Sequence, residues 1–259
     1  MCGQWHEAEF RYYEELNDFL SPQRRKCPFV YRFRGTPAIK DAIQAMGVPH
    51  TEVDLILVNS RSVDFCYRLQ TGDRVSVYPV FESLELGEVH RLRPRPLREP
   101  KFICDVHLGR LARRLRLLGF DVAYRNDADD PRIVDAALAE KRIILTRDRG
   151  MLKLKRVTHG YLIRSTDVHQ QVLEVLRRFD LASRIEPFAR CTHCNGLIVP
   201  VEKAAVQDEI PAASRHYRAF FRCQGCGRIY WQGSHFSRLS TYVRQVREAA
   251  GRSATSRDD

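Results

Sequence analysis

Residues 101–148 leave the chain little freedom of fold. They read KFICDVHLGRLARRLRLLGFDVAYRNDADDPRIVDAALAEKRIILTRD. An apolar strand over 101–104 runs into Asp105. Leu108, Leu111, Ala112, Leu115 and Leu118 then recur on one helical face, with Arg110, Arg113, Arg114 and Arg116 mostly off it. Gly119 ends that helix as a C-terminal glycine does, and 120–124 reads as a second strand. Pro131 opens a second helix behind Asp130, as in a capped first turn. The third strand, 142–146, is apolar enough to be buried on both faces and leads to Asp148. This β-α-β-α-β order predicts a parallel sheet with right-handed crossovers. Asp105 and Asp148 then stand at the carboxyl ends of strands, where open α/β sheets place their sites.

A fourth strand over 161–164 ends at Ser165-Thr166-Asp167, and a helix follows with Val168, Val172, Val175, Leu176 and Phe179 facing inward. Asp167 thus stands at a third strand end, as a helix cap or as a functional acid. Two carboxylates about 4 Å apart repel by roughly 4 kcal/mol at an effective dielectric of about 20. Gathering Asp105, Asp148 and a third acid therefore requires a cation, and hard oxygen donors suit magnesium or manganese rather than zinc. Each acid has a plainer alternative. Asp105 and Asp148 fit turns, Asp130 fits an N-cap, and Asp127 and Asp129 fit a solvated loop in which Asp129 can exchange roles with Asp130. His107 fits a helix start as well as an assisting role.

Charge narrows the partner. The chain of 259 residues carries a net +11, and residues 101–190 hold 19 Lys and Arg against 12 Asp and Glu. A basic domain favours a polyanion, usually nucleic acid. Arg110, Arg113 and Arg114 on the first helix, Arg147 and Arg149 flanking Asp148, and Lys153 in the basic turn after it are the candidate nucleic-acid contacts. The hydrophobic share of 44% and charged share of 29% describe a globular chain, and the length predicts about two domains. No apolar run approaches the roughly 20 residues of a membrane span, and no signal-peptide pattern opens the chain, so a cytoplasmic location without membrane is expected.

Residues 1–86 read as a separate unit. A strand starts at 10–13, a short helix holds Leu16, Phe19 and Leu20, and 29–33 alternates as a second strand. Thr36-Pro37 caps a helix with Ile39, Ile43 and Met46 on one face, closed by Gly47. Residues 53–58 form an apolar strand, 59–62 a turn and 74–80 a last strand. This β-β-α-β-β order suggests a ubiquitin-like β-grasp, and VDLILVNSRSVDFCYRLQTGDRVSVYPVF resembles the sulfur-carrier branch of that fold. A carrier needs a free Gly-Gly terminus, whereas FESLELGEVHRLRP continues onward, so docking of a protein partner is the expected role. Residues 87–100 form a linker stiffened by Pro94, Pro96 and Pro100.

Four of the eight cysteines fall in two C-x-x-C pairs, Cys191 with Cys194 and Cys223 with Cys226, and 28 residues lie between the pairs. Two such knuckles complete a tetrahedral, structural zinc site with no position left for substrate. His193 and His235 are further ligand candidates.

The motifs Asp105-Val-His-Leu-Gly-Arg-Leu-Ala-Arg, Leu145-Thr-Arg-Asp148-Arg-Gly, His159-Gly-Tyr, Cys191-Thr-His-Cys-Asn-Gly and Cys-Gly-Arg-Ile-Tyr-Trp231-Gln-Gly-Ser-His resemble the Mut-seven C-terminal RNase family. The resemblance implies a PIN-like nuclease domain with an appended zinc ribbon, preceded by a ubiquitin-like domain. It further implies three or four acids that bind magnesium or manganese to cut single-stranded RNA. By position these are Asp105, the helix-start acid Asp130, Asp148 of the Thr-x-Asp motif and Asp167 as a fourth. The expected layout is a β-grasp domain over 1–86, a linker over 87–100, a PIN-like α/β domain over 101–187, a zinc ribbon over 188–240 and a basic tail, helical or disordered, over 241–259. Two rivals stand beside the ribonuclease: a non-catalytic RNA-binding adaptor, and a phosphoacceptor receiver domain. The second is weakened by Arg164-Ser-Thr-Asp where a receiver wants lysine.

Overall fold

A computed structural model describes residues 4–79 and 100–255, with side chains to 251. Residues 87–99 of the expected linker lie outside the described residues. The chain divides into two compact units, Met1–Glu99 with Asp148–Leu162, and Pro100–Arg147 with Ile163–Asp259.

In the first unit, residues 4–79 form a five-stranded sheet packed against one α-helix. In chain order come β1 (Trp5–Tyr12), β2 (Phe29–Arg34), α1 (Ile39–Ala45), β3 (Val53–Val58), β4 (Arg61–Val63) and β5 (Arg74–Pro79). The order across the sheet is β2-β1-β5-β3-β4, with β1 and β5 parallel and the other pairs antiparallel. That is the β-grasp arrangement. Ala8, Phe10 and Tyr12 of β1 point into the core, and α1 covers it with Ile39, Ala42 and Ile43. The first strand begins at Trp5, earlier than expected, because Glu7 and Glu9 alternate outward with Ala8 and Phe10 and Glu7 pairs with Arg32 on β2 at 2.8 Å. The expected turn at 59–62 is tighter. Asn59 and Ser60 take φ of +49° and +67°, and Arg61–Val63 already pairs with β3. The helix cap is Ala38 rather than Thr36, without a side-chain bond.

The second unit opens with β6 (Phe102–Cys104), α2 (Gly109–Leu117), β7 (Val122–Ala123), α3 (Asp130–Ala139) and β8 (Ile143–Thr146). β6 lies between β7 and β8 and is parallel to both. All residues of β6 and β8 are buried, as their unbroken apolar runs require. Leu111, Ala112 and Leu115 of α2 are fully buried. The expected strand over 120–124 contracts to two residues, since Phe120 still donates its amide to Leu115 O of the preceding helix.

Helix α4 (Arg149–Lys153) and strand β9 (Gly160–Leu162) follow in the segment that belongs to the first unit. There Gln44 Nε2 donates to Lys153 O at 3.0 Å, and the buried carboxylate of Glu52 accepts the Leu162 amide at 2.7 Å. The chain then returns to the second unit through Ile163, whose amide bonds Thr146 O.

Helix α5 (Val168–Arg178) buries Val172, Val175 and Leu176, and Phe179 just beyond it meets Phe102 edge-on at 5.2 Å. Strands β10 (Ile198–Val201), β11 (Phe220–Cys223) and β12 (Ile229–Trp231) form a separate antiparallel sheet around a small core of Val206, Ile210 and Phe220. The last helix, α6 (Ser234–Thr255), buries Val243 and Val246 against the unit, and Arg247 Nη2 donates to Ile185 O at 2.9 Å. Among the described residues no helix is long and apolar enough to cross a membrane.

Gly119 ends α2 with φ of +99°, and a Cβ there would collide with the Glu186 carbonyl. Gly119→Ala is expected to lower unfolding free energy by roughly 2–3 kcal/mol, from left-handed backbone strain and displacement of the 186 loop. Denaturant melts of the two proteins check it. Equal midpoints would contradict the packing described.

Candidate functional site

Each predicted acid follows a strand and opens a helical segment. Asp105 is the residue after β6 and caps a 3-10 turn over Val106–Leu108. It is 3% exposed. One carboxylate oxygen accepts the His107 amide at 2.8 Å, and the other accepts Thr146 Oγ1 at 2.5 Å and the Arg147 amide at 3.1 Å. Cys104 beside it is so buried that its thiol is pushed far up, and it stays neutral at the strand end. Asp148 comes two residues after β8, is exposed, and caps α4 by accepting the Gly150 amide at 2.7 Å. Asp167 caps α5 by accepting the Gln170 amide at 2.9 Å and is also exposed.

Asp130 is not the cap expected of it. Asp129 takes that place and accepts the Arg132 amide at 3.1 Å, which leaves Asp130 exposed as the first helical residue with Pro131 second. Proline is tolerated anywhere in the first turn, so its position did not separate two neighbouring aspartates. Among the described residues, no three acidic side chains gather ligand atoms at one point; the group that does is four cysteines.

The candidate RNA contacts differ in freedom. Arg110, Arg113, Arg147 and Arg149 are exposed, whereas Lys153 and Arg114 are half-buried. Arg114 lies over the Tyr242 ring at 4.3 Å, and Arg149 over Phe19 at 5.3 Å. Arg116 departs from its neighbours. It is buried, and its guanidinium donates to Val122 O at 2.8 Å, His193 O at 2.8 Å and Thr192 O at 3.3 Å. Burial draws its pKa down, and nearby sulfur and Asp121 charges oppose that. Residue 116 is four after the fully buried Ala112, so helical spacing does put it on the apolar stripe, contrary to expectation.

The thiols of Cys191, Cys194, Cys223 and Cys226 all lie within 4.8 Å of one another. Cys191 and Cys226 are 3.8 Å apart, and Cys194 and Cys223 are 3.3 Å apart. Thiolates about 2.3 Å from a tetrahedral ion are about 3.8 Å from each other, so the cluster fits such an ion closely. Amides of Cys194, Gly196 and Gly225 point at the sulfurs of Cys191, Cys194 and Cys223. Gly196 and Gly225 are needed because a Cβ on either would press on a sulfur of the cluster. Burial works against ionising Cys191, yet the Tyr230 hydroxyl at 2.9 Å and the knuckle amides outweigh it and hold that thiol down at about 6. Cys194 is pushed up to about 12 by burial and by the neighbouring sulfurs. His193 and His235 do not join the group.

A clasp joins this knuckle to the edge of the parallel sheet. Asn195, at φ of +73°, donates to Asp121 at 2.8 Å and accepts the Val122 amide at 3.0 Å. Asp121 also takes Arg142 at 2.6 Å and Arg190 at 3.5 Å. Burial pushes the Asp121 carboxyl up, but the bonds from Arg142 and Asn195 reverse this and hold it below its ordinary value. Neither Asp121 nor Asn195 was singled out from the sequence. The only signal was an asparagine directly after a knuckle cysteine, where left-handed backbone is common.

Comparison with known proteins places this geometry. The Mut7-C ubiquitin model matches residues 5–85, and the Mut7-C RNAse domain model matches residues 100–243. The exonuclease mut-7 homolog of Homo sapiens is 25% identical over a stretch that covers 60% of this chain and 27% of that protein. The chain therefore spans well under half the length of this curated relative. No solved structure matches it. With more than half of its residues inside the second match and a β-grasp sheet, a parallel sheet and a four-cysteine cluster in order, the chain belongs to the Mut7-C RNAse domain family, with a Mut7-C ubiquitin domain ahead of it.

Proposed function

We propose that this protein is a metal-dependent ribonuclease of PIN-like class, cleaving single-stranded RNA. The observation that carries the reading is Asp105, a buried carboxylate at the carboxyl end of the central parallel strand, oriented by three donors. A carboxylate is kept in such a place at a cost of several kcal/mol unless it is well satisfied, and turns alone do not require it. The family match supports a nuclease.

In this reading Asp105 and Asp148 hold magnesium or manganese, with Asp130 and Asp167 as further acids. Their donors are hard oxygens, which suits those ions. A divalent cation so held supplies an activated water and offsets charge developing on the phosphate. Asp105 is fixed in one rotamer by Thr146 and two amides, so it presents its remaining lone pairs without further ordering. Asp148 is exposed to solvent at the start of α4. Arg110, Arg113, Arg114, Arg147, Arg149 and Lys153 hold the RNA backbone by charge.

The cysteine cluster holds zinc and is structural, since four thiolates close the site. The ribbon takes residues 188–240 after a PIN-like domain over 101–187, and the β-grasp domain over 1–86 docks a protein partner.

A second reading has an observation of its own. Asp105, Asp148 and Asp167 each accept a backbone amide at a helical start, as purely structural caps do. That favours a non-catalytic RNA-binding adaptor.

Asp148→Asn separates the two, because asparagine caps a helix as well as aspartate does but carries no charge. Ribonuclease activity is expected to fall at least about a hundredfold, roughly 2.7 kcal/mol of transition-state stabilisation. RNA affinity and melting temperature are expected to hold. A folded variant that cleaves at the parent rate removes Asp148 from the mechanism.

Elemental analysis is expected to find one zinc per chain, lost in Cys223→Ser together with the ribbon's near-ultraviolet dichroism. Zinc content unchanged in that variant would contradict the assignment.

A further inference from the structure

We propose that the ribbon also carries a pocket for one unstacked base of a single-stranded RNA. This rests on the ribonuclease reading and adds where the strand runs.

A cavity of about 570 Å³ lies where the end of α2, the ribbon strands and the start of α6 meet. Its walls are aromatic: Phe188, Phe221, Tyr230, Trp231 and Phe236. Phe188 and Phe236 are 4.8 Å apart, and the rim is polar, with Arg190, Gln232 and His235. Stacking walls with a few polar groups are what an extruded base requires, and the volume falls in the range of small-ligand pockets.

A second cavity of about 560 Å³ adjoins the first, and Leu117, Thr192 and Leu239 line both. Its character is different. Arg110, Arg113 and Arg114 line it against a single acid, Asp167. Arg110 and Arg113 are exposed and form no ion pair among the described residues. Arg114 and His169 both meet the Tyr242 ring, at 4.3 Å and 5.8 Å. The Tyr242 hydroxyl is buried and finds no hydrogen-bond partner among the described residues.

A phosphate-binding basic cleft that continues into an aromatic pocket is the pairing by which proteins hold single strands. A duplex keeps its bases inside the stack and cannot fill the second part. An apolar peptide would fill the pocket and leave the arginines unanswered. Tyr230 ties the pocket wall to the four-cysteine cluster through Cys191, so the ribbon's fold fixes the pocket's shape.

The chain has two tryptophans, Trp5 and Trp231, and Trp5 is 59% exposed in the other unit. Trp5→Phe therefore leaves Trp231 as the sole reporter. A single-stranded oligoadenylate of about eight nucleotides is titrated without added divalent ions, following Trp231 emission and the anisotropy of the labelled RNA. Quenching of Trp231 at the same midpoint as the anisotropy change is expected, with none from the matching duplex. Phe221→Ala is expected to weaken binding at least about fivefold, the lower end of what one stacked base contributes. If Phe221→Ala loses its zinc or its fold, the parent titration decides alone. Binding by anisotropy with Trp231 unquenched overturns the pocket and leaves the ribonuclease reading standing. Absence of any single-strand binding overturns both. Quenching by an apolar peptide and not by RNA makes the cavity a protein-docking site and overturns the proposal.

Discussion

The carboxylate of Asp105 sets terms that the second unit has to meet. An anion 3% exposed loses most of its hydration, and only well-placed donors make up that loss. Two come from backbone amides, His107 at the start of the next turn and Arg147 past the neighbouring strand. The third is the hydroxyl of Thr146, itself fully buried. Those donors exist because β8 runs parallel to β6 in register, Cys104 opposite Leu145, so that the chain just beyond each strand meets the other. The adjoining thiol of Cys104 is kept neutral by burial and adds no competing charge. By contrast, Asp148 and Asp167 cap their helices in solvent, where hydration shares the load.

The ribbon depends on a different kind of support. Its apolar core is three buried residues with a few partly buried neighbours, too little to stabilise a sheet by itself. The clasp to the parallel sheet supplies part of the difference, and a metal held by the four cysteines would supply more. Arg116 reaches from α2 to two knuckle carbonyls, and Asn195 reaches back to Asp121 and Val122. One consequence is that the aromatic cavity at the ribbon is walled by both parts, with Leu117 from α2 and Tyr230 held at the sulfur cluster.

Much of this was legible in the residues. The apolar runs of β6 and β8 and the spacing of Leu108, Leu111 and Leu115 are long-range signals of burial, and they led to the parallel sheet directly. The paired cysteines carry their own geometry. What was hidden depended on partners far away in sequence. Arg116 reads as one of a run of surface arginines until its carbonyl partners at 192 and 193 are in place. Thr146 reads as the end of a strand, and nothing local says that its hydroxyl meets Asp105. Asp129 and Asp130 are both good caps before a proline, and backbone geometry chose the first. The start of β1 was missed because Trp5 to Glu9 carry alternation only in the light of Arg32 and Arg34 across the strand pair.

The central claim is that Asp105 belongs to a site for a divalent cation, and manganese binding tests it without any need for catalysis. Electron paramagnetic resonance can follow free manganese as it is titrated into zinc-loaded protein and into Asp105→Asn. Zinc content and circular dichroism report whether that variant keeps its fold. The account predicts saturable manganese binding by the parent protein and loss of that binding in a folded, zinc-loaded Asp105→Asn. Equal manganese binding by both proteins, or none by either, would contradict it.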